Sequence, residues 1–447
     1  MGLKIIILAA GQGTRMKSDL PKVLHPLGGL PMIGHVVRVA FALEPAQVCV
    51  VLPPEDQRIT STLKQLFPQQ PLTFATQDKP LGTGHAVQSA LHVLDDISGD
   101  DILILCGDTP VLDTQTLAFM IQEKAQAHDE APWLYSMNVS HDNAYGRIKV
   151  DHEGRGLGIV EAACTTEEER NITLCNTGVM LVPGYLLKSF LMQMKPSASG
   201  EFYLTDLISF CAHQDQKAHI LIGPQENFCG INTRVELAQA ENHLQTRWRT
   251  HMMEAGVTLM DPASVYFSYD TIIGKDSVIY PHVYFGTQVI LGERVTIRPF
   301  SMLMGATLDS DTRVGPCAHL RPGAHLKEGA RVGNFVEVKN TVMEAGAHAD
   351  HLTYLGDSHL GKNAAIGAGT ITCNYNGFKK FPTHIGAEAF IGSNTTLVAP
   401  VKIGDGAIVA AGSVVTHDVA PDALVFARAK QTQLQGYGKK FKEKAKT

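Results

Sequence analysis

From Gly256 onward the sequence repeats every six residues. Aliphatic or aromatic side chains fall at Ile273, Ile279, Phe285, Leu291, Ile297 and Leu303, and again at Val314, Leu320, Leu326 and Val332. Glycine follows many of them, as in Ile273-Gly274, Leu291-Gly292, Ile366-Gly367, Ile391-Gly392 and Ile403-Gly404. Six residues supply one short strand and one turn, three such units close a triangular coil of about 18 residues, and stacked coils bury a continuous aliphatic column. The pattern predicts a parallel β-helix. Its phase breaks at residues 374–384, where Asn-Tyr-Asn-Gly-Phe-Lys-Lys-Phe-Pro intervenes. That segment is expected to leave the coil as a loop, and loops that interrupt a solenoid usually carry function.

Residues 1–232 have a different texture. Leu3–Leu8, Val48–Leu52 and Ile102–Cys106 are short apolar runs bounded by Gly, Pro or Asp, with helical patterns between them. This predicts a parallel, doubly wound α/β sheet of the Rossmann type. Arg234–Ala255 reads as a helix: Leu237, Leu244, Trp248 and Met252 lie near one face, Thr233 and Glu236 form a capping box, and Gly256 stops it. At about 1.5 Å per residue it reaches roughly 30 Å, enough to hold two domains apart or simply to close the first. The expected division is an α/β domain over 1–232, a linker helix over 233–255, the β-helix over 256–427 and a basic tail over 428–447. The tail sets Arg428, Lys430, Lys439, Lys440, Lys442, Lys444 and Lys446 against Glu443, a net charge of +6, and is expected to be mobile or ordered by a ligand.

A formal charge of −6 with 44% hydrophobic residues excludes a disordered or collagen-like chain and points to no nucleic-acid partner. Ile5–Ala10 is too short for a membrane span or a signal-peptide core, so a cytoplasmic location without membrane insertion is expected. The 8 cysteines contain no Cys-x-x-Cys pair, and reduced, mostly buried thiols are expected rather than disulfides or a zinc site.

The strand Leu3–Leu8 runs into Ala9-Ala10-Gly11-Gln12-Gly13-Thr14-Arg15-Met16, followed by Pro21-Lys22. Met16 stands at the third glycine position of the dinucleotide fingerprint and the Walker pattern is absent, so neither loop fits. A glycine loop at the carboxyl end of a first parallel strand still presents backbone N–H groups to anions. Arg15 and Lys22 add the positive charge that a triphosphate and a departing pyrophosphate call for. Asp108, in Cys106-Gly107-Asp108-Thr109-Pro110, either holds Mg²⁺ beside phosphates or is a turn aspartate. Asn232, in Gly230-Ile231-Asn232-Thr233, is a second metal ligand, part of the cap of the next helix, or both. Gln77, followed by Gly82-Thr83-Gly84, either reads a uracil edge, since an amide donates and accepts, or is a surface polar residue; the glycines permit close backbone approach.

Leu8–Met16 with Pro21-Lys22 resembles the signature of sugar-nucleotide pyrophosphorylases. The motif order continues through Lys22-Val23-Leu24-His25, Leu81–Ala86, Gly107–Pro110, Tyr145–Ile148, Asn176–Gly178 and Gly230–Arg234, then His351–Asp357 and Ile366–Tyr375 within the repeats, covering nearly all 447 residues. It closely resembles the bifunctional N-acetylglucosamine-1-phosphate uridyltransferase and glucosamine-1-phosphate acetyltransferase family. The resemblance implies a Rossmann-like nucleotidyltransferase domain followed by a left-handed parallel β-helix, with small-molecule substrates, UTP and acetyl-CoA as co-substrates, Mg²⁺, and a homotrimer. The implied product, UDP-N-acetylglucosamine, serves peptidoglycan and lipopolysaccharide synthesis.

By that resemblance Leu8, Ala9, Ala10, Gly11, Lys22, Gln77, Gly82 and Thr83, with Cys106, Gly107 and Asp108, belong to the uridine nucleotide site. Gly146, Glu161 and Asn176 surround the amino sugar, Asp108 and Asn232 hold Mg²⁺, and Arg15 and Lys22 act on the phosphates. The implied reaction is in-line attack of the sugar phosphate on the α-phosphorus of UTP, with no covalent protein intermediate. In the repeats His351 resembles the general base that frees the hexosamine nitrogen for attack on a thioester. Arg321 and Lys339 match sugar-phosphate cations, and Tyr354, Asn374 and Tyr375 match substrate contacts. Lys380, on the extruded loop, is placed to reach the substrate phosphate or the coenzyme. Ala368, Ser393, Ala411 and Arg428 match acetyl-coenzyme A positions, with the Ala368 N–H as a candidate oxyanion donor.

The sequence departs from the family pattern in places. Cys106 stands where the family often has Tyr, and Ala365 where Asn is expected, so one polar contact to the acetyl-transfer substrates is missing or replaced. His348-Ala349-Asp350-His351 replaces a Lys-Ala-Gly-His pattern; Asp350 would favour protonated His351 if the side chains approached, although strand neighbours point to opposite faces. Two other functions fit the same two halves. One is a monofunctional sugar-1-phosphate nucleotidyltransferase with a structural or regulatory β-helix, against which the extruded loop and the His351 cluster count. The other is a non-catalytic scaffold, against which Arg15, Lys22, Asp108 and Asn232 together count.

Overall fold

Ile5, Ile6 and Ile7 are completely buried, Ile5 and Ile7 in one apolar cluster and Ile6 in another. A continuous aliphatic run that feeds two cores marks a strand covered on both faces. Leu3–Leu8 is accordingly central in its sheet, paired in parallel with Gln47–Leu52 on one side and Asp101–Cys106 on the other. The sheet extends to Leu72–Thr76 beyond the first neighbour, and to Leu174–Pro183, Trp133–Asn138 and His219–Ile222 beyond the second. Leu8 and Cys106 are register partners at the carboxyl ends of adjacent strands, so the loops that follow both open into one crevice.

One expectation needs correcting: the sheet is mixed. Leu174–Pro183 runs antiparallel to both Asp101–Cys106 and Trp133–Asn138. The chain reaches it through the antiparallel pair Arg147–Val150 and Gly156–Val160 and the one-turn helix Glu167–Arg170.

The computed structural model describes residues 2–54, 56–140, 143–198 and 200–445. It divides into two units, one ending at Leu244 and one beginning at Gln245. In the second unit, strands of two to four residues stack into three parallel sheets of 10, 8 and 8 strands. Their inward residues, from Ile279 and Phe285 to Leu397 and Val409, form one buried column. Corner residues take left-handed backbone at Asp276, His282, Gln288, Arg294 and Phe300, every sixth position, and the next such corner, Gly305, comes after only five. That shortened unit changes the coil length: Ile272 pairs with Ile290, 18 residues on, but Ile290 pairs with Thr307, 17 on. Where the loop leaves the coil, Ser358 pairs with Thr383, 25 residues on.

The helix runs Arg234–Glu254 and is followed by Gly256 at φ +89°. Its second half carries buried polar residues that the apolar pattern did not reveal. Gln245 Nε2 donates to Phe267 O at 2.7 Å, Phe267 N–H donates back to Gln245 Oε1 at 2.8 Å, and Arg249 Nε donates to Val265 O at 2.8 Å. These bonds satisfy backbone at the open end of the β-helix, where no further coil can do so.

All 8 cysteines are free thiols, but only Cys49, Cys175 and Cys211 are buried and Cys164 is exposed, so most are not buried as expected. The tail from Arg428 is exposed and contains a helix, Tyr437–Lys444, that the charge run gave no reason to expect; Lys446 lies outside the described residues. No helix among the described residues is long and apolar enough to cross a membrane.

Candidate functional site

The crevice at the carboxyl ends of Leu3–Leu8 and Asp101–Cys106 holds two adjoining cavities. The first, about 300 Å³, is lined by Leu8, Ala9, Ala10 and Gly11, by Lys22, Gln77, Gly82 and Thr83, and by Cys106 and Asp108. The second, about 250 Å³, shares Leu8, Thr83, Cys106 and Asp108 and adds Gly146, Glu161, Asn176 and Asn232. At Asp108, which lines both, Lys22 Nζ donates to Asp108 Oδ2 at 2.5 Å and to Asn232 Oδ1 at 3.0 Å. Asn232 serves the cap as well: its N–H and that of Thr233 donate to Glu236 Oε2 at 2.7 and 2.8 Å, and Glu236 N–H donates to Thr233 Oγ1 at 3.2 Å.

Gln77 is buried rather than a surface residue. Its Nε2 donates to Gly82 O at 2.9 Å and lies 3.3 Å from His85 Nδ1, which leaves the carboxamide oxygen to meet a ligand. The close approach permitted by Gly82 is made by the protein itself: at φ +99° a Cβ there would lie 2.6 Å from Phe202 O, which also accepts the Gly84 N–H at 2.8 Å. Gly107 donates its N–H to Leu8 O at 2.9 Å and ties the two strand ends together. Burial, and then the Asp108 charge, push the Cys106 thiol up to about 12, so it stays protonated and adds no charge to the site. Arg15 is placed differently from Lys22: it lines a third cavity of about 450 Å³ with Asn143 and His243, which Lys22 does not line and which shares Tyr145 and Asn232 with the second cavity.

In the second unit the sequence-predicted residues separate onto one face and one edge of the β-helix. On the face, Glu337–Lys339 and Tyr354–Gly356 stack in register. Arg321 Nη1 donates to Glu337 Oε1 at 2.7 Å. Contact with Lys380, and then the charge of Arg321, hold the Lys339 ammonium below the usual lysine range, so three cations share one patch. The Tyr354 hydroxyl and the Asn374 amide close on Gly356, where a Cβ would lie 2.4 and 2.7 Å from them. Asn374 in turn donates to Asp357 Oδ2. Tyr375 and Lys380 bridge the antiparallel hairpin made by the extruded loop, and the Tyr375 hydroxyl donates to Gly377 O at 2.5 Å.

The edge is a ladder of equivalent corners. Gly369 N–H donates to His351 O at 3.3 Å, Asn394 N–H to Ala368 O at 2.7 Å, Gly412 N–H to Ser393 O at 2.8 Å, and Arg428 Nη1 to Ala411 O at 2.8 Å. His351, Ala368, Ser393, Ala411 and Arg428 therefore descend one edge, about 4.8 Å per coil. The coil above His351 supplies Asn334, whose Oδ1 accepts from His351 Nδ1 at 2.7 Å. Both line a cavity of about 330 Å³ with Arg298, Arg313, Arg331 and Asp350. Asp350 and His351 face the same cavity, contrary to strand alternation, because His351 ends its strand and Leu352 turns the corner at φ +49°. The Asp350 carboxylate lies 3.6 Å from Arg331 Nη2. Ala365 stands between His348 and Phe390 in an outward-facing column.

The profile of the MobA-like NTP transferase domain matches residues 5–141, and that of the bacterial transferase hexapeptide (six repeats) matches residues 382–417. The bifunctional protein GlmU of Paramagnetospirillum magneticum is 44% identical over 441 residues, 98% of this chain and 96% of that protein. The proteins of the same name from Zymomonas mobilis and Geotalea uraniireducens are 42% and 41% identical, covering 99% of this chain and 98% and 99% of theirs. The chain belongs to the GlmU family. It is a bifunctional transferase of UDP-N-acetylglucosamine synthesis, with uridyltransferase and glucosamine-1-phosphate acetyltransferase activities. The hexapeptide profile spans a fraction of the GlmU β-helix seen here, whose coils begin at Thr258–Leu259.

Sequence reasoning missed Gln12 and Glu201 in the first cavity, Thr205 in the second, where its hydroxyl donates to Glu161 Oε1 at 2.7 Å, and Asn334 beside His351. Asn334 was discoverable, because His351 lies one 17-residue coil after it.

Proposed function

We propose that Lys22, Asp108 and Asn232 form the working centre of uridyl transfer and that His351, at the head of the edge ladder, is the general base of acetyl transfer. For the first centre, the observation that carries the reading is the convergence of Asp108 Oδ2 and Asn232 Oδ1 on one ammonium at the meeting of two cavities. Two hard oxygens that already share a cation fit Mg²⁺ by donor chemistry. Mg²⁺ held there would neutralise charge on the triphosphate and on the pyrophosphate leaving it. Lys22, exchanged from the carboxylate to the phosphates, adds a mobile positive charge. The glycine loop from Leu8 to Gly11 offers backbone to the nucleotide, and the Gln77 carboxamide oxygen accepts the imide N–H of uracil. Gly146, Glu161 and Asn176 hold N-acetylglucosamine-1-phosphate in the adjoining cavity. Its phosphate oxygen bonds to the α-phosphorus of UTP, the α–β bridge breaks, and pyrophosphate departs.

For acetyl transfer, the cationic patch of Arg321, Lys339 and Lys380 holds the phosphate of glucosamine-1-phosphate, with Tyr354, Asn374 and Tyr375 on the sugar. Acetyl-CoA lies along the edge from Ala368 to Arg428. His351 takes the proton from the amine, the nitrogen bonds to the thioester carbonyl carbon, and the C–S bond breaks to release coenzyme A. The Ala368 N–H has no hydrogen-bond partner among the described residues and suits the developing oxyanion. The acetyltransferase half acts as a homotrimer, a reading supported by the exposed apolar register partners Phe390, Ile408 and Leu424 on successive coils. Incubation with glucosamine-1-phosphate, acetyl-CoA, UTP and Mg²⁺ should give coenzyme A, pyrophosphate and UDP-N-acetylglucosamine by mass spectrometry. Omitting acetyl-CoA should leave only added N-acetylglucosamine-1-phosphate as a uridyl acceptor; a chain that uridylates without ever acetylating refutes the second assignment.

A further inference from the structure

We infer that Asn334 is a positioning residue for His351, fixing the imidazole as the tautomer protonated on Nδ1 so that Nε2 presents its lone pair to the substrate amine; this rests on the reading of His351 as general base. The contact is set by the fold. Arg331–Asn334 and His348–His351 are four-residue strands paired in parallel, with Asn334 directly opposite His351. Leu352 N–H donates to Asn334 O at 3.0 Å and Thr353 Oγ1 donates to His351 O at 2.8 Å, which pins the peptide unit that follows His351. Gly333 brings the coils close, since a Cβ there would lie within 1.9 Å of Asp350 O. Asn334 Oδ1 then accepts from Nδ1 at 2.7 Å.

A neutral imidazole has one N–H and one lone pair, so the group that holds the N–H decides which nitrogen acts. An amide oxygen can only accept. Asn334 therefore favours the Nδ1–H form without adding the negative charge that an aspartate would bring. The charged groups facing this imidazole in the shared cavity are Arg298, Arg313, Arg331 and Asp350, and Asp350 is paired with Arg331.

Three variants test this in the full-length protein, with uridyl transfer and circular dichroism as controls for folding. Asn334→Ala should lower kcat for acetyl transfer about 10–100-fold, the range for loss of a group that orients a functional imidazole, with KM for both substrates within about twofold. Asn334→Asp should recover much of kcat but move the acid limb of the pH–rate profile to higher pH, because a carboxylate stabilises the imidazolium. In ¹⁵N-histidine-labelled protein, the resonance lost in His351→Ala should report Nδ1–H in the parent and a tautomer mixture in Asn334→Ala. A parent-like kcat and pH profile in Asn334→Ala overturns the inference, as does a lost rate with an unchanged tautomer. If His351→Ala itself retains acetyl transfer, the general-base reading fails instead. Should Asn334→Ala fail to fold, the pH shift of Asn334→Asp decides alone.

Discussion

Lys22 Nζ lies 2.5 Å from Asp108 Oδ2 although 86 residues separate them in sequence. The contact joins the Lys22–Leu24 turn, which follows the glycine loop, to the turn after Asp101–Cys106, and Asn232 closes it from just before the long helix. Three segments far apart in the chain thus converge on one charge centre.

Asp108→Ala should reduce uridyl transfer by about 10²-fold or more, the scale of losing a preorganised electrostatic group, and leave acetyl transfer within error of the parent. Titrating Mg²⁺ in the uridyl assay checks the assignment. A variant with parent-like rate and Mg²⁺ dependence would show that the carboxylate is only a turn residue.

His351→Ala should do the reverse, lowering acetyl transfer about 10²-fold or more while uridyl transfer persists. Its residual rate should climb with pH as the hexosamine deprotonates in solution. An unchanged rate and pH profile would remove His351 from the chemistry.

The repeat made the β-helix legible because each unit advertises the same apolar position, and the strand-end motifs made Lys22, Gln77 and Asp108 legible as a group. What stayed hidden depends on register. Asn334 is polar, half-exposed and unremarkable until the 17-residue coil sets it above His351. Leu174–Pro183 reads as an apolar run whichever way it points, so its antiparallel direction could not be taken from composition. Gln245 and Arg249 look like a helix's solvated side, and only the open end of the first coil gives them backbone to satisfy. Arg15 sits on the Thr14–Met16 turn, whose Met16 is buried, and lines a different cavity from Lys22.

Gly82→Ala should destabilise the first unit by about 1–3 kcal/mol, the usual scale for backbone held in an unfavourable conformation. The added Cβ meets Phe202 O at 2.6 Å with φ fixed at +99°. Thermal unfolding should show the loss, and KM for UTP should rise because Gln77 is anchored on Gly82 O. Gly11→Ala, where a Cβ meets nothing within 4 Å, is the control and should unfold like the parent.

Stability of the first unit should fall on acidification from pH 7 to pH 5. Burial lowers His35 from 6.5 to about 4, and its Nε2–H donates to Leu27 O at 2.7 Å in the neutral ring. Between those two values the unfolded chain binds a proton that the folded one refuses, so the stabilising contribution is complete above about 6.5 and is lost as pH falls toward 4. This group alone accounts for about 2 kcal/mol between pH 7 and pH 5. His25, also held low by burial and then by Arg234, acts with the same sign. His35→Gln, which keeps a donor for Leu27 O, should flatten the pH dependence of melting; an equally steep dependence would point to other groups.

Acetyl transfer should require assembly, and Phe378 should be the residue on which that assembly is most sensitive. Phe378 sits on the hairpin that leaves the coil and is 91% exposed. On an adjacent sheet, Phe390, Ile408 and Leu424 are register partners with exposed outward side chains, an apolar column on successive coils. Exposed apolar surface that is both contiguous and regular is expected to be covered, and three-fold packing of triangular prisms covers it while setting each protruding arm against a neighbour. Residues 245–447, produced as a fragment, should then sediment as a trimer and acetylate, with specific activity falling on dilution as the trimer dissociates. Phe378→Asp should shift the dilution midpoint to higher protein concentration without altering uridyl transfer in the full chain. Mass photometry run beside a thiol-release assay reads both quantities at once, and full acetyl transfer by a demonstrated monomer would refute the requirement for a trimer.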